Sequence, residues 1–162
     1  MRAEPRWLAP STVVLSAVGL ALSVYLSVEH LRAPGTLACP ATATVNCARV
    51  TTSEQATLFG VPVALLGVAF FVAMLLVCAP VAWRNPALRT GRLALAGVGV
   101  AFVFYLIYAE LFVVDAICLW CTAVHAVALA LFAAVIFGTA ARDGTARPAG
   151  DGLARPARGR GR

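Results

Sequence analysis

The chain has 162 residues, of which 61% are hydrophobic and 12% are charged, and its mean hydropathy is +0.88. Soluble domains of this size are far less apolar, so the composition excludes a soluble globular protein and indicates one that lies mostly in lipid. The formal net charge of +6 does not indicate nucleic-acid binding, because the arginines flank apolar segments or lie in a Gly/Pro/Ala-rich C-terminal stretch.

Four apolar segments reach the roughly 20 residues that are needed to cross a hydrocarbon core, and they are residues 11–28, 58–79, 93–114 and 116–137. Each is predicted to be a helix, because lipid offers the backbone no hydrogen-bond partners. The predicted fold class is therefore an all-α membrane protein with a four-transmembrane-helix bundle over residues 11–137. Residues 29–57 would form a large loop between the first two spans.

The basic residues predict how the chain is oriented in the membrane. All thirteen are Arg; eleven lie before the first span, between the second and third spans or after the fourth, and Arg32 and Arg49 lie in the large loop. The positive-inside rule then predicts that both termini are cytoplasmic and that the large loop faces outward. Residues 1–10 would be a cytoplasmic N-terminus, and residues 138–162 a disordered, basic cytoplasmic tail.

Five cysteines are the residues best suited to chemistry in this chain. Cys39 and Cys47 lie in the outer loop, and Cys118 and Cys121 form a Cys-Leu-Trp-Cys motif where the fourth span begins on the same side. Paired thiols on an outer face persist as disulfides, so two pairs on one side are consistent with a redox relay. Cys78 lies alone near the cytoplasmic end of the second span and is predicted to pack as a small hydrophobic residue.

The C-x-x-C motif favours redox chemistry over a purely structural role. At the start of a helix the dipole contributes about 0.3 to 2 kcal/mol, which corresponds to a thiol pKa lower by roughly one unit. Two alternatives remain open. The pairs would be inert disulfide staples, although a two-residue loop makes a poor staple, or a zinc site of four thiolates, although the Cys-x7-Cys spacing is long for zinc.

The fourth span presents a polar stripe to one side. Cys118, Cys121, Thr122 and His125 follow the spacing i, i+3, i+4 and i+7, which places them on one helical face. A His in a membrane span is costly unless it faces the bundle interior, so His125 is predicted to share a pocket with the thiols. The alternative is that His125 only bonds a neighbouring helix.

These motifs together resemble the vitamin K epoxide reductase family in its bacterial branch. The resemblance rests on the Cys-x7-Cys loop, the C-x-x-C motif, the four spans and the stretch SEQATLFGVPVALLG at residues 53–67, with its Phe59-Gly60-Val61-Pro62 turn. It covers residues 11–137. The family fold that it implies is a four-helix bundle around a quinone, covered by an outer loop that contains a short half-helix after Asn46.

The resemblance also implies a role for each paired cysteine. Cys39 and Cys47 correspond to a shuttle pair in the outer loop, and Cys118 and Cys121 to the active-site pair. Cys121 would face the quinone, and Cys118 would exchange disulfides with Cys47.

Other residues are candidates for contact with the quinone. Val63 and His125 occupy positions where vertebrate members have an Asn and a Tyr that hydrogen-bond the quinone. Val63 cannot form such a bond, which favours simple quinone reduction over epoxide reduction. Phe59 and Thr122 are predicted to contact the quinone as well.

The function that the resemblance implies is a membrane thiol-disulfide oxidoreductase of the bacterial inner (cytoplasmic) membrane, with its active site on the outer face. It would reoxidise an exported thioredoxin-like oxidase, reduce menaquinone or ubiquinone, use no metal, and support disulfide formation in exported proteins. About 25 residues without a C-x-x-C follow the fourth span, so the thioredoxin-like partner is expected to be a separate chain. Glu110 and Asp115 would be either a proton relay or a solvated interfacial pair.

Three alternatives to this function remain open. The protein would be a vitamin K quinone or epoxide reductase, a non-catalytic membrane protein with structural disulfides, or a transporter of thiol electrons from the cytoplasm. The last would need a second cysteine beside Cys78.

Overall fold

The computed structural model describes residues 8–32 and 37–146. Its first helix, α1, is Leu8–Arg32 and has 25 residues, about 37 Å at 1.5 Å per residue. It extends past both ends of the predicted span because hydropathy marks the part in lipid rather than the end of the helix. Residues 1–7 of the predicted cytoplasmic N-terminus lie outside the described residues.

One face of α1 carries small residues and packs tightly on a neighbouring helix. The buried small residues on this face are Thr12, Ser16, Gly19, Ser23 and Ser27. A Cβ atom on Gly19 would overlap the ring of Phe71 from that neighbour. Helices in lipid gain most from close packing, and small residues permit it.

The outer loop contains the predicted short helix. This helix, α2, is Cys47–Thr51, and the Asn46 side chain caps it by accepting a hydrogen bond from the Arg49 N–H at 3.0 Å. A 3₁₀ turn, Glu54–Ala56, follows. The loop is therefore ordered around Cys47 rather than extended.

The start of the second predicted span is a β-hairpin, not a helix. Strands β1, Thr57–Leu58, and β2, Val61–Pro62, pair in antiparallel register. Phe59 and Gly60 both have positive φ, 51° and 80°, as a type I′ hairpin turn requires. The prediction of helix from residue 58 is wrong for five residues, because local turn geometry overrides an apolar composition.

The helix that follows is shorter than the predicted span. It is α3, Val63–Val77, with 15 residues or about 22 Å, and a hydrocarbon core is about 30 Å thick. Pro80 begins a separate short helix, α4, Pro80–Trp83. Proline lacks an N–H and forces the preceding residue, here Ala79, into an extended conformation, so the helix breaks at this point.

A buried arginine binds the carbonyl groups near this break. The guanidinium of Arg92 donates from Nε to the Val77 carbonyl at 2.9 Å and from Nη2 to the Ala82 carbonyl at 3.0 Å. It also lies 3.8 Å from the centre of the Trp83 ring. The sequence predicts that Arg92 belongs to the loop between the second and third spans, but Arg92 lies inside a helix and is 1% exposed.

Two long helices complete the chain. Helix α5, Ala87–Tyr108, continues as a π-helical segment, Ala109–Val114, and ends at Asp115 in a left-handed conformation. Helix α6, Leu119–Ala146, runs nine residues beyond the predicted fourth span. The predicted tail therefore begins as helix, and residues 147–162 lie outside the described residues.

The helices pack around α1, which contacts both α3 and α6, while α5 packs on α6. The main core cluster consists of Phe71, Met74, Cys78, Ala96, Val103, Ala128, Leu131 and Val135. Cys78 is fully buried and free in this cluster, but its thiol also lies beside the polar side chains of Thr12 and Arg92.

The helices and their apolar composition confirm an all-α membrane protein, with one two-stranded hairpin added. Within the described residues three helices are long and apolar enough to cross a membrane, namely Leu8–Arg32, Ala87–Val114 and Leu119–Ala141. The remaining apolar helix, α3, is shorter, so the fourth complete crossing stays a prediction.

Candidate functional site

The outer-loop cysteines form a disulfide. Cys39 and Cys47 are joined with their Cα atoms 6.1 Å apart. Cys47 is the first residue of α2 and is 1% exposed, whereas Cys39 is partly exposed. Cys39 is therefore more accessible to a partner in the solvent than Cys47 is.

The loop is fixed by backbone pairing to the segment that precedes the C-x-x-C motif. The Ile117 N–H donates to the Thr44 carbonyl at 2.9 Å, and the Asn46 N–H donates to the Ile117 carbonyl at 3.0 Å. Cys47 follows Asn46, and Cys118 follows Ile117. Backbone hydrogen bonds thus hold the residues just before the two cysteines against each other.

Both cysteine pairs belong to one buried cluster. Its buried members are Cys47, Val50, Val114, Ala116 and Cys118, and Cys39 and Cys121 pack against it. The structure thereby brings together all four cysteines that the sequence singled out. Spacing along the chain could not show this, since 70 residues lie between Cys47 and Cys118.

Trp120, inside the C-x-x-C motif, connects three parts of the site. Its indole N–H donates to the Ala38 carbonyl at 3.1 Å, next to Cys39 in sequence. Its ring packs on Tyr25 of α1 with the ring centres 4.8 Å apart. The sequence does not predict this role for Trp120, because nothing local indicates a bond to residue 38.

Cys118 and Cys121 are free thiols at the start of α6. The Cys121 N–H donates to the Cys118 sulfur at 3.3 Å. A hydrogen bond from the Cys121 thiol lowers the pKa of Cys118 below the usual thiol value, and burial of Cys118 opposes this effect only in part. Cys118 is therefore the more readily ionised partner that a disulfide exchange needs.

An apolar cavity of about 520 Å³ lies between α1, α3, α5 and α6, and α2 with the following turn closes one end. Cys121 and His125 of α6 line it, as does Val63 of α3. His125 is 5% exposed and lines this cavity together with Cys121, whereas Cys118 does not line it.

Two predicted quinone contacts lie outside this cavity. Phe59 is at the tip of the hairpin and is 98% exposed. Thr122 is exposed, and its hydroxyl donates to the Cys118 carbonyl at 2.9 Å. The helical spacing could show neither that Thr122 lies outside the cavity nor that its hydroxyl bonds a backbone carbonyl one turn earlier.

The two acidic residues before the C-x-x-C motif have different surroundings. Glu110 lines the cavity and is 7% exposed. Asp115 is exposed on the turn. Asp115 is therefore solvated, but Glu110 is not. The π-helical segment places Glu110 inside the helical bundle.

Ser23 of α1 also lines the cavity, and sequence reasoning missed it. The available signal was a series of hydroxyl residues on one face of an apolar helix. No group of three or more His, Cys, Asp or Glu side chains suited to a metal ion occurs within residues 8–32 and 37–146.

The model of one protein family, described as the vitamin K epoxide reductase family, matches residues 10–136. No individual curated protein matched the sequence. The match spans nearly the whole helical bundle and includes all four paired cysteines. The chain therefore belongs to the vitamin K epoxide reductase family and is a membrane oxidoreductase.

Proposed function

We propose that the protein is a thiol-disulfide oxidoreductase that reoxidises a separate, exported thioredoxin-like oxidase and passes the electrons to a membrane quinone. One observation carries this proposal. Of the four cysteines in the buried cluster, Cys121 lines the cavity, while Cys118 lies with Cys47 where the outer loop meets α6. Electrons would enter at the outer disulfide, pass from Cys47 to Cys118, and leave from Cys121 into the cavity.

The first step would take place at the outer disulfide. A partner thiolate attacks Cys39, because Cys39 is the more accessible sulfur, and Cys47 leaves as the thiolate. The second thiol of the partner then attacks the mixed disulfide. The partner leaves oxidised, and Cys39 and Cys47 are left as two thiols.

The second step would transfer the electrons inward. The Cys47 thiolate attacks Cys118 of a Cys118–Cys121 disulfide, and Cys121 leaves as the thiolate. Cys39 then attacks Cys47, which restores the outer disulfide and leaves Cys118 and Cys121 reduced. The backbone pairing between the two segments holds the exchanging residues together for this step.

The cavity has the size and character of a quinone site. Its 520 Å³ falls in the range of small-molecule pockets, and its wall is mainly apolar. A bound quinone would supply the acceptor for two electrons and two protons. Cys121 would face it, His125 would offer a polar contact, and Cys118 would re-form the disulfide with Cys121.

The location follows from the same proposal. The excess of Arg on one side supports cytoplasmic termini. The cysteine cluster would then face the outside of a bacterial inner membrane, where exported proteins acquire their disulfides.

The test is reduction of a soluble quinone analogue by purified protein supplied with a reduced thioredoxin-like oxidase. We expect quinol formation by the wild type and by Cys78→Ser, which serves as the matched control. Cys47→Ser and Cys121→Ser should both lose it. A small dithiol that reduces Cys118–Cys121 directly should restore turnover in Cys47→Ser but not in Cys121→Ser.

Two results would contradict the proposal. Activity of Cys121→Ser close to that of the wild type would remove Cys121 from the electron path. A wild type that is inactive with every quinone and both reductants would leave the disulfide as a structural staple.

A further inference from the structure

Four hydroxyl side chains lie on the buried face of α1, and three of them bond their own helix. Thr12 donates to the Ala9 carbonyl at 2.9 Å, Ser16 to the Thr12 carbonyl at 2.7 Å, and Ser27 to the Ser23 carbonyl at 2.7 Å. This is the usual way for a hydroxyl to be satisfied inside an apolar helix.

Ser23 is the exception on this face. Its side chain is 1% exposed, and its Oγ has no hydrogen-bond partner within the described parts of the chain. A buried hydroxyl without a partner costs free energy, and such groups in native proteins call for an explanation. The residue also lines the cavity that holds Cys121 and His125.

The facing helix approaches this hydroxyl closely through a glycine. Gly67 of α3 also lines the cavity, and a Cβ atom added to it would lie 2.9 Å from the Ser23 Oγ. A larger residue at position 67 would therefore crowd the hydroxyl. The cavity-lining residues of α3 are all apolar, so this helix offers the hydroxyl no side-chain partner.

We propose that the Ser23 hydroxyl donates a hydrogen bond to a carbonyl oxygen of the quinone, and so helps to select a quinone over an apolar molecule of the same shape. This inference rests on the proposed function. A hydroxyl both donates and accepts, so Ser23 can donate to a quinone carbonyl and accept from a quinol hydroxyl. It would therefore hold the ring in either redox state.

The test compares two probes of similar shape, 2-methyl-1,4-naphthoquinone and 2-methylnaphthalene, which lacks both carbonyl groups. Binding is measured by calorimetry on the purified full chain, oxidised beforehand so that Cys118 and Cys121 form a disulfide and cannot react with the naphthoquinone. We expect Ser23→Ala to weaken binding of the naphthoquinone about three- to tenfold and to leave binding of the naphthalene unchanged. Ser23→Thr keeps the hydroxyl and should keep the preference for the quinone.

Ser27→Ala is the matched control, because Ser27 lies one turn away on the same face and bonds its own helix. It should change neither affinity. Equal losses of affinity for both probes in Ser23→Ala would indicate a packing effect. No loss of affinity for the naphthoquinone would exclude the hydrogen bond. Either result overturns the inference but leaves quinone binding by the wild type intact. A wild type that does not bind the naphthoquinone would overturn the proposed function as well.

Discussion

At the scale of single residues, the two cysteines of the C-x-x-C motif have different surroundings. Cys118 is buried between the outer loop and α6 and receives hydrogen bonds from Cys121. Cys121 lines the cavity. The motif identifies the pair, and the different surroundings of the two sulfurs support the roles that we propose for them.

The acidity of Cys118 can be tested directly. In a protein whose Cys39, Cys47 and Cys78 are replaced by Ser, thiolate absorbance at 240 nm should first rise at a pH below the usual thiol range. Cys121→Ala removes the thiol that stabilises the Cys118 thiolate, so the pKa of Cys118 should rise and less thiolate should form near pH 7.

Cys121→Ser is the control for this measurement, since its hydroxyl can still donate and should retain part of the effect. An unchanged titration of Cys118 in Cys121→Ala would show that the Cys121 thiol does not stabilise the Cys118 thiolate.

At the scale of elements, the break between α3 and α4 explains why the second predicted span is not one continuous helix. A hydropathy profile treats residues 58–79 as uniform, but a type I′ turn shortens the start and Pro80 interrupts the end. The carbonyl groups of Val77 and Ala82 are bonded by Arg92 of another helix. The sequence could not predict this, because the bonds join residues 10 and 15 positions apart across a turn.

Removal of the Arg92 side chain should therefore destabilise the fold. Arg92→Ala leaves these two carbonyl groups without their charged partner, and we expect a loss of about 2 to 4 kcal/mol in the free energy of unfolding. Arg92→Lys should retain only part of this stability, because an ammonium group cannot form the same pair of hydrogen bonds as a planar guanidinium. The measurement is unfolding in detergent.

Arg84→Ala is the matched control for the loss of a positive charge. Arg84 is exposed just after α4, and its replacement should change stability by less than about 0.5 kcal/mol. Equal stability of the Arg92→Ala and Arg84→Ala proteins would show that the hydrogen bonds from Arg92 to the two carbonyl groups do not stabilise the fold.

At the scale of the whole molecule, the outer loop, α1 and α6 meet at Trp120. This side chain joins Tyr25 to the carbonyl next to Cys39, while backbone pairing holds the residues before Cys47 and Cys118. The proposed relay thus depends on contacts among three distant parts of the chain.

Trp120→Ala should loosen the loop without removing a cysteine. Quinol formation driven by the protein partner should fall about tenfold, because exchange between Cys47 and Cys118 needs close positioning. Turnover driven by a small dithiol acting on Cys118–Cys121 should fall much less. The ratio of the two rates is the measurement.

Phe112→Ala removes an exposed aromatic ring and should leave that ratio unchanged. An equal fall of both rates in Trp120→Ala would show that the ring serves α6 or the cavity and not the loop.

The amino-acid sequence alone predicted the membrane class, the approximate positions of the apolar helices and the identity of the paired cysteines. These features depend on composition and on spacing within one segment, so they can be read locally. Only the tertiary structure showed that the segments before Cys47 and Cys118 pair through their backbones, that Ser23 and Glu110 line the cavity, and that Phe59 and Thr122 do not. Those placements depend on how separate helices pack and which way each side chain points, and neither is encoded in the spacing along a single segment.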